Sequence, residues 1–363
     1  NYMKHRFVPM SEPDYGSSEL EQILSTFKTN WFSQGKITQQ FEASLSKYLS
    51  SNVSVVNNGT SALLAALLAH GIQPGDKVIV PSFTFIATST APKLLGAKII
   101  PVDVDPLTLN ITPESIEKIV KKNRVKAVIV VDVAGLPIDI DPIVELSKKY
   151  NFILIEDAAE ALGSEYKRKK LGSFDHTTIF SFHIAKLITT IEGGCIASKD
   201  KSIIKKISQI RNHGSSGKKY VHDIIGSNFR ITDLQSALGL SQLKKIDQYI
   251  QKRNEIATYY KENIKSLEFQ EIPNYVSKHS YMLFFAIAKT PNYKNKILSH
   301  LIKNNFDARN SWLPIHMQPC NPELKKIKLL NSENIYRQSL TLPIFNTMNL
   351  SDVKRIVKTI NNF

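Results

Sequence analysis

Two cysteines in 363 residues, Cys195 and Cys320, exclude a disulfide framework, and neither stands in a CxxC or CxxxH spacing that would mark a structural zinc site. No metal is expected. Long apolar runs are missing too. No stretch of eighteen or more apolar residues occurs, so no membrane-spanning helix is expected. The opening stretch NYMKHRFVPMSEPDYG has no apolar core of the signal-peptide kind, which points to the cytoplasm and reduced thiols, with Met3 as the candidate natural start. There is no internal repeat, no low-complexity tract and no basic arm. Lysine and arginine outnumber acids 47 to 32, yet the excess is spread along the chain in short clusters such as Lys167 to Lys170. Without aromatic interleaving or a recognised binding motif, it points to a phosphorylated ligand, with neither nucleic acid nor membrane as partner.

What is present is a regular alternation. Short β-branched runs at Val53–Val56, Lys77–Val80, Lys98–Val102, Ala127–Val131, Phe152–Ile155, Thr178–Ser181 and Cys195–Ser198 read as strands. Several are apolar on both faces, as strands buried between helix layers must be. Helical segments at Ser61–His70, Phe85–Leu95, Pro113–Asn123, Asp141–Tyr150 and Lys201–Asn212 separate them. This predicts an α/β fold with a doubly wound, mostly parallel sheet. After Gly226 the pattern changes. Thr232–Tyr260 reads as one long helix with apolar positions at Leu234, Ala237, Leu238, Leu243 and Ile246. We place a boundary inside it, giving a large domain over residues 1–245 and a smaller α/β domain over 246–363.

Four segments carry chemistry. In Ser181-Phe182-His183-Ile184-Ala185-Lys186, a lysine lies just past a buried strand and ahead of Thr189-Thr190-Ile191-Glu192-Gly193-Gly194. A lysine amine condenses with an aldehyde cofactor only when neutral, and a desolvated strand end promotes that form. Taken alone, such a lysine also suits a solvated surface. The strand Ile153-Leu154-Ile155 ends in Glu156-Asp157-Ala158-Ala159-Glu160. Pyridoxal phosphate needs a carboxylate beside its ring nitrogen, and Asp157 is placed for it, although a helix N-cap is an equal use of the residue. Asn58-Gly59-Thr60-Ser61 opens an Ala/Leu-rich helix and presents backbone N–H groups and hydroxyls to a phosphate, or simply caps the helix. Phe85, after Pro81-Ser82-Phe83-Thr84, suits stacking on a cofactor ring or packing in the core.

Their order along the chain, phosphate turn, aromatic, acid and then lysine, is more specific than any one of them. Together with Ser11-Glu12-Pro13, Trp31-Phe32-Ser33-Gln34-Gly35-Lys36, Gly135-Leu136-Pro137-Ile138-Asp139, Arg211-Asn212-His213-Gly214, Gly226-Ser227-Asn228-Phe229-Arg230-Ile231-Thr232-Asp233-Leu234-Gln235 and Trp312-Leu313-Pro314-Ile315-His316, they resemble the DegT/DnrJ/StrS family of sugar aminotransferases over nearly the whole chain. The resemblance implies the fold-type-I aminotransferase architecture and pyridoxal 5′-phosphate as cofactor, with pyridoxamine 5′-phosphate as intermediate. It implies that Lys186 forms the internal aldimine and moves protons, that Asp157 pairs with the pyridine nitrogen, and that Phe85 stacks on the ring. Gly59, Thr60, Ser61 and Ser181 would hold the phosphate, with Glu160 near the phenolic oxygen. Asn228 would reach the phosphate of the neighbouring subunit, implying a homodimer with shared active sites. Arg230, Trp312 and His316 would line the sugar-nucleotide pocket.

Two departures stand out: Glu160 where family members often carry Gln, and Ile191 where they usually carry Gly. Some relatives replace the lysine by His and become dehydratases, a branch that Lys186 argues against. Glu160, the Tyr220–Gly226 run and Pro314-Ile315-His316 look most like the perosamine synthase type of 4-aminotransferase. The expected reaction is amination at C4 of a nucleotide-linked 4-keto-6-deoxysugar with L-glutamate as donor. The alternatives are a 3-aminotransferase and a cofactor-binding regulator without turnover.

Overall fold

The computed structural model describes residues 6–363, so Met3 lies outside the described residues. All seven expected strands are present and join in one sheet. They are β1 (Asn52–Val56), β2 (Lys77–Pro81), β3 (Lys98–Val102), β4 (Ala127–Val131), β5 (Ile153–Asp157), β6 (Thr177–Ser181) and β7 (Gly194–Ser198), in the spatial order β1-β7-β6-β5-β4-β2-β3. Neighbours run parallel except β7, which is antiparallel to both β1 and β6. Side chains alternate between two helix layers because the pleat has a period of two. Val128 and Val130 face a layer that includes α2 (Lys36–Leu49), α5 (Pro113–Val120) and α6 (Ile140–Tyr150). Ile129 and Ile155 face the other, made by α3 (Gly59–Ala69), α4 (Ala87–Leu94) and α7 (Lys201–Ile210). With both faces covered, alternation carries no polar positions, and the strands read as continuous apolar runs.

The helix expected over Thr232–Tyr260 is two helices, α8 (Asp233–Leu243) and α9 (Ile246–Asn263), separated by a turn at Lys244 and Lys245. Anchors from the N-terminal segment hold the turn. The Lys245 ammonium lies 2.8 Å from Glu19 and 3.6 Å from Asp14, while the Tyr249 hydroxyl donates to Asp14 at 2.7 Å. Leu243, Ile246 and Ile250 pack into the same layer, so the apolar period runs through the break and hides it.

The far half of α9 belongs to a second core. Ile256, Ala257 and Tyr260 pack there with a four-stranded antiparallel sheet of β8 (Glu268–Phe269), β9 (Phe284–Ile287), β10 (Arg309–Asn310) and β11 (Ser339–Leu342), in the order β8-β9-β11-β10. The start of the described chain joins it. Val8 bridges Phe306 and is buried in this core. Phe83, Val131 and Val133 of the first body meet Phe285 and Ile335 of the second, and beside this contact the carboxyl ends of β2, β4, β5 and β6 open into a cavity.

Candidate active site

The cavity, about 380 Å³, takes its walls from both bodies. Such a crevice outside the carboxyl ends of parallel strands is where open α/β sheets bind ligands. Lys186 reaches it from the loop between β6 and β7. That loop folds back on itself: the Thr189 hydroxyl and the Thr190 amide both donate to the Phe182 carbonyl, at 3.1 and 2.9 Å. The Lys186 side chain is 17% exposed, and its Nζ lies 3.6 Å from Glu160 Oε1. The other Glu160 oxygen accepts the Ala134 N–H at 2.9 Å. Glu160 is therefore held from behind by backbone and faces the lysine in front, which accounts for a carboxylate at this position.

Asp157 ends β5 with its side chain buried. The Thr88 hydroxyl donates to it at 2.8 Å and the Ala159 amide at 3.2 Å. Burial nevertheless pushes its carboxyl up to about 6, against the pull of those two bonds and of the Lys186 charge. Among the described residues, none of the ion pairs within 4.0 Å includes Asp157. A buried carboxylate in this state is best satisfied by a cationic N–H, the group a protonated pyridine nitrogen presents.

At the start of α3, the Asn58 side chain accepts the Ser61 amide at 2.7 Å and the Asn58 carbonyl accepts that of Ala62. The amides of Gly59 and Thr60 precede the first intrahelical bond and remain for an anion on the cavity side. Gly59 is required for packing, because a Cβ there would come within 2.9 Å of the Ser181 Cβ. Two free amides, the Ser181 hydroxyl, an unpaired buried carboxylate, a lysine and the exposed face of Phe85 fit the phosphate, ring nitrogen, aldehyde and ring of pyridoxal phosphate.

Gly59, Thr60, Phe85, Asp157, Glu160, Ser181, Lys186 and Trp312 thus surround one cavity. Other expected residues lie elsewhere. Ser61 is buried against the helix start, and its amide serves the cap. Asn228 is exposed and its side chain accepts the Arg230 amide, while Arg230 donates to Asn212 at 2.8 Å. His316 is buried, with Nδ1 2.6 Å from the Ser82 hydroxyl and Nε2 3.4 Å from Glu333. It backs the segment that leads to Phe85, and neither ring nitrogen is turned to the cavity of its own chain. Asn58, Thr88 and Arg309 contribute to the walls without having been assigned from sequence. Asn58 stood in the turn read as a phosphate site, and Thr88 lies one helical turn after Thr84 in the segment that bears Phe85.

Ile191, the second departure, adopts φ 71° with its side chain half exposed. A left-handed conformation costs an L-residue about 1–2 kcal/mol, whereas glycine adopts it freely and loses only about 0.4–1 kcal/mol of unfolded-state restriction. Ile191→Gly should therefore stabilise the protein by about 0.5–1 kcal/mol. Urea unfolding checks this: the midpoint should rise at constant slope. A fall would mean that the isoleucine side chain makes contacts worth more than the strain.

The defining pattern of the DegT/DnrJ/EryC1/StrS aminotransferase family matches residues 13–361. GDP-perosamine synthase of Escherichia coli O157:H7 is 35% identical over 364 residues, spanning 99% of both chains. The UDP-4-amino-4,6-dideoxy-N-acetyl-beta-L-altrosamine transaminase of Campylobacter jejuni strain 81-176 is 35% identical over 97% of this chain and 96% of its own. Among solved structures, Helicobacter pylori PseC, an aminotransferase involved in the biosynthesis of pseudoaminic acid, superposes with a TM-score of 0.92 at 30% identity, covering 98% of this chain and 99% of its own.

Proposed function

We infer the function from one premise: this chain belongs to the DegT/DnrJ/EryC1/StrS aminotransferase family. It is a sugar aminotransferase that uses pyridoxal phosphate, and its substrates are a nucleotide-linked sugar and an amino donor. Beyond this, we propose that it aminates C4 of a nucleotide-linked 4-keto-6-deoxysugar with L-glutamate, giving the 4-amino-4,6-dideoxysugar. Full-length similarity to three proteins named GDP-perosamine synthase, at 31–35% identity, supports the regiochemistry. The observation that carries the reading is the single cavity that joins Lys186 to the buried, unpaired Asp157.

When bound, pyridoxal phosphate supplies an electron-withdrawing ring that carries the amino group from one substrate to the other. In our reading, the Gly59 and Thr60 amides and the Ser181 hydroxyl hold its phosphate, and Phe85 covers one face of the ring. Asp157 holds a proton on the ring nitrogen by charge. Lys186 takes a proton at Nζ from the amino donor's Cα and returns one on the sugar side. Glu160, fixed by the Ala134 amide, sets where the amine rests, and Trp312 and Met282 line the same cavity.

The same proposal makes the enzyme a homodimer with shared sites. Leu20, Leu24 and Phe27 form an exposed apolar stripe on the helix Ser17–Phe27, and Tyr220 and Ile225 are more than four-fifths exposed on the segment leading to Asn228. Outward apolar surface of this kind suits a second copy, and Asn228 is exposed and does not line the cavity of its own chain. No helix among the described residues is long and apolar enough to cross a membrane. Both cysteines are free thiols, and we place the enzyme in the reducing cytoplasm.

The test is direct. Glutamate added to the cofactor-loaded protein should bleach the visible absorbance of the bound cofactor. A subsequent GDP-, dTDP- or UDP-linked 4-keto-6-deoxysugar should restore the band and yield a product with nitrogen at C4 by NMR. Nitrogen at C3 would replace the 4-aminotransferase assignment. Absence of turnover with every ketosugar would overturn the proposed substrate class.

A further inference from the structure

Arg253 is 1% exposed, the bulkiest of the fully buried side chains, and no carboxylate among the described residues pairs with it. Burial pushes its pKa down to about 9, which leaves it cationic at neutral pH. An unpaired buried cation is costly unless its donors are satisfied. Three of its five N–H donors meet oxygens from two distant segments. Nε donates to Asn346 Oδ1 at 2.8 Å, and Nη1 to the carbonyls of Tyr281 and Met282 at 3.1 and 3.0 Å.

Two of those partners, Asn346 and Met282, continue toward the cavity. Asn346 Nδ2 donates to the Leu187 carbonyl at 2.9 Å, which fixes the Leu187–Ile188 peptide, one residue beyond Lys186. On the other arm, the Met282 amide donates to the Ala134 carbonyl at 3.0 Å, and the Ala134 amide holds Glu160, which faces the Lys186 ammonium. The bonds close a ring that leaves Lys186 through its backbone and returns to its side chain. Arg253 is the one residue on both arms. A planar fork suits this, because its donors lie in fixed directions that an ammonium cannot reproduce.

We propose that Arg253 and Asn346 are positioning residues that hold Lys186 in register with Glu160 and with the cavity wall of the second body. The inference rests on Lys186 being the reacting amine. Displacement of a reacting group by about 1 Å from outside the chemistry can cost about a hundredfold in rate. Cutting the ring should therefore lower kcat while leaving both KM values unchanged.

Asn346→Asp isolates the step. The carboxylate keeps, and strengthens, the contact to Arg253, but it can no longer donate to Leu187. Thermal stability should be retained or raised, kcat should fall by about 10- to 100-fold, and KM for each substrate should stay within twofold. The visible circular dichroism of the bound cofactor, which reports its fixed orientation without turnover, should weaken per mole bound. Asn346→Ala should behave alike in kcat with a modest loss of stability, and combined with Arg253→Lys it should cost much less than the product of the two single losses. Wild-type kcat and dichroism in a folded Asn346→Asp protein would overturn the proposal. Lys186→Ala in the same assays separates the two failures: if it still turns over, the functional reading fails, and if it is dead while Asn346→Asp is normal, only the positioning role fails.

Discussion

Lys186→Ala will bind pyridoxal phosphate and fail to turn over. The phosphate cradle proposed at Gly59, Thr60 and Ser181 and the carboxylate proposed for the ring nitrogen, Asp157, are untouched by the change, so on that proposal the cofactor is still held at both ends. What disappears is the only lysine that the described residues place on the cavity wall. A positioned general base is worth about 10²–10⁴ in rate, and the same amine also anchors the cofactor, so kcat should fall by more than about 10⁴-fold. Lys186→Arg is the sharper control. It preserves the positive charge opposite Glu160, but a guanidinium stays protonated in water and cannot take a proton from carbon. Both variants should be equally inactive, and a small primary amine added to the Lys186→Ala protein should recover part of the rate. Turnover within tenfold of wild type in Lys186→Ala would remove Lys186 from the chemistry. Activity in Lys186→Arg alone would mean that the residue acts by charge.

The positions of Lys186 and Asp157 were legible because Asp157 ends, and Lys186 lies just past, a strand that a one-dimensional reading finds easily. A β-branched run such as Val128-Ile129-Val130-Val131 suits a doubly covered sheet, and the carboxyl ends of such strands open on the crevice where α/β sheets bind ligands. The break between α8 and α9 was not legible, since both helices bury into one layer and the anchors that make the turn, Asp14 and Glu19, lie more than two hundred residues upstream. Arg253 was invisible for a related reason. In a sequence, an arginine in a polar helix reads as a solvated face, and nothing local shows that its partners are carbonyls 28 and 29 residues away and an amide 93 residues away.

The Gly226–Gln235 motif mixes roles that a linear pattern cannot separate. Thr232 and Gln235 cap α8, and Asp233 accepts the amides of Gly35 and Thr38 and so pins the start of α2. Asn228, five residues earlier in the same motif, does neither and faces outward. Distinctiveness in a motif marks constraint, and here part of that constraint is structural. His316 makes the same point: its ring spans Ser82 and Glu333 behind the wall, so whatever it does for the pocket passes through the position of Ser82 and of the Phe85 segment.

Asp157→Asn should make the cofactor-free protein more stable and the enzyme nearly inactive. The carboxyl titrates near 6 in the folded protein against 3.8 for the free group, because burial penalises the anion. Below pH 4 both states are protonated and the residue costs nothing. Between about 4 and 6 the folded state binds more protons than the unfolded one, so stability falls as pH rises. Above 6 the penalty is complete, at about 3 kcal/mol if the full shift is expressed. Asparagine fits the site without charge, its oxygen accepting from Ala159 and its amide donating to Thr88, whose hydroxyl can turn to Thr84. Urea unfolding of the two cofactor-free proteins should therefore diverge with pH: similar near pH 4, with the variant ahead by about 1–3 kcal/mol at pH 8. The catalytic cost runs the other way. A neutral amide cannot hold a proton on the ring nitrogen by charge, and loss of one preorganised electrostatic group removes at least about 10²-fold from kcat. The lower stability of the cofactor-free protein and the catalytic power of the loaded enzyme come from the same buried charge. A variant with wild-type kcat would show that Asp157 does not face the ring nitrogen, and a stability difference independent of pH would show that its buried charge is not what destabilises the cofactor-free protein.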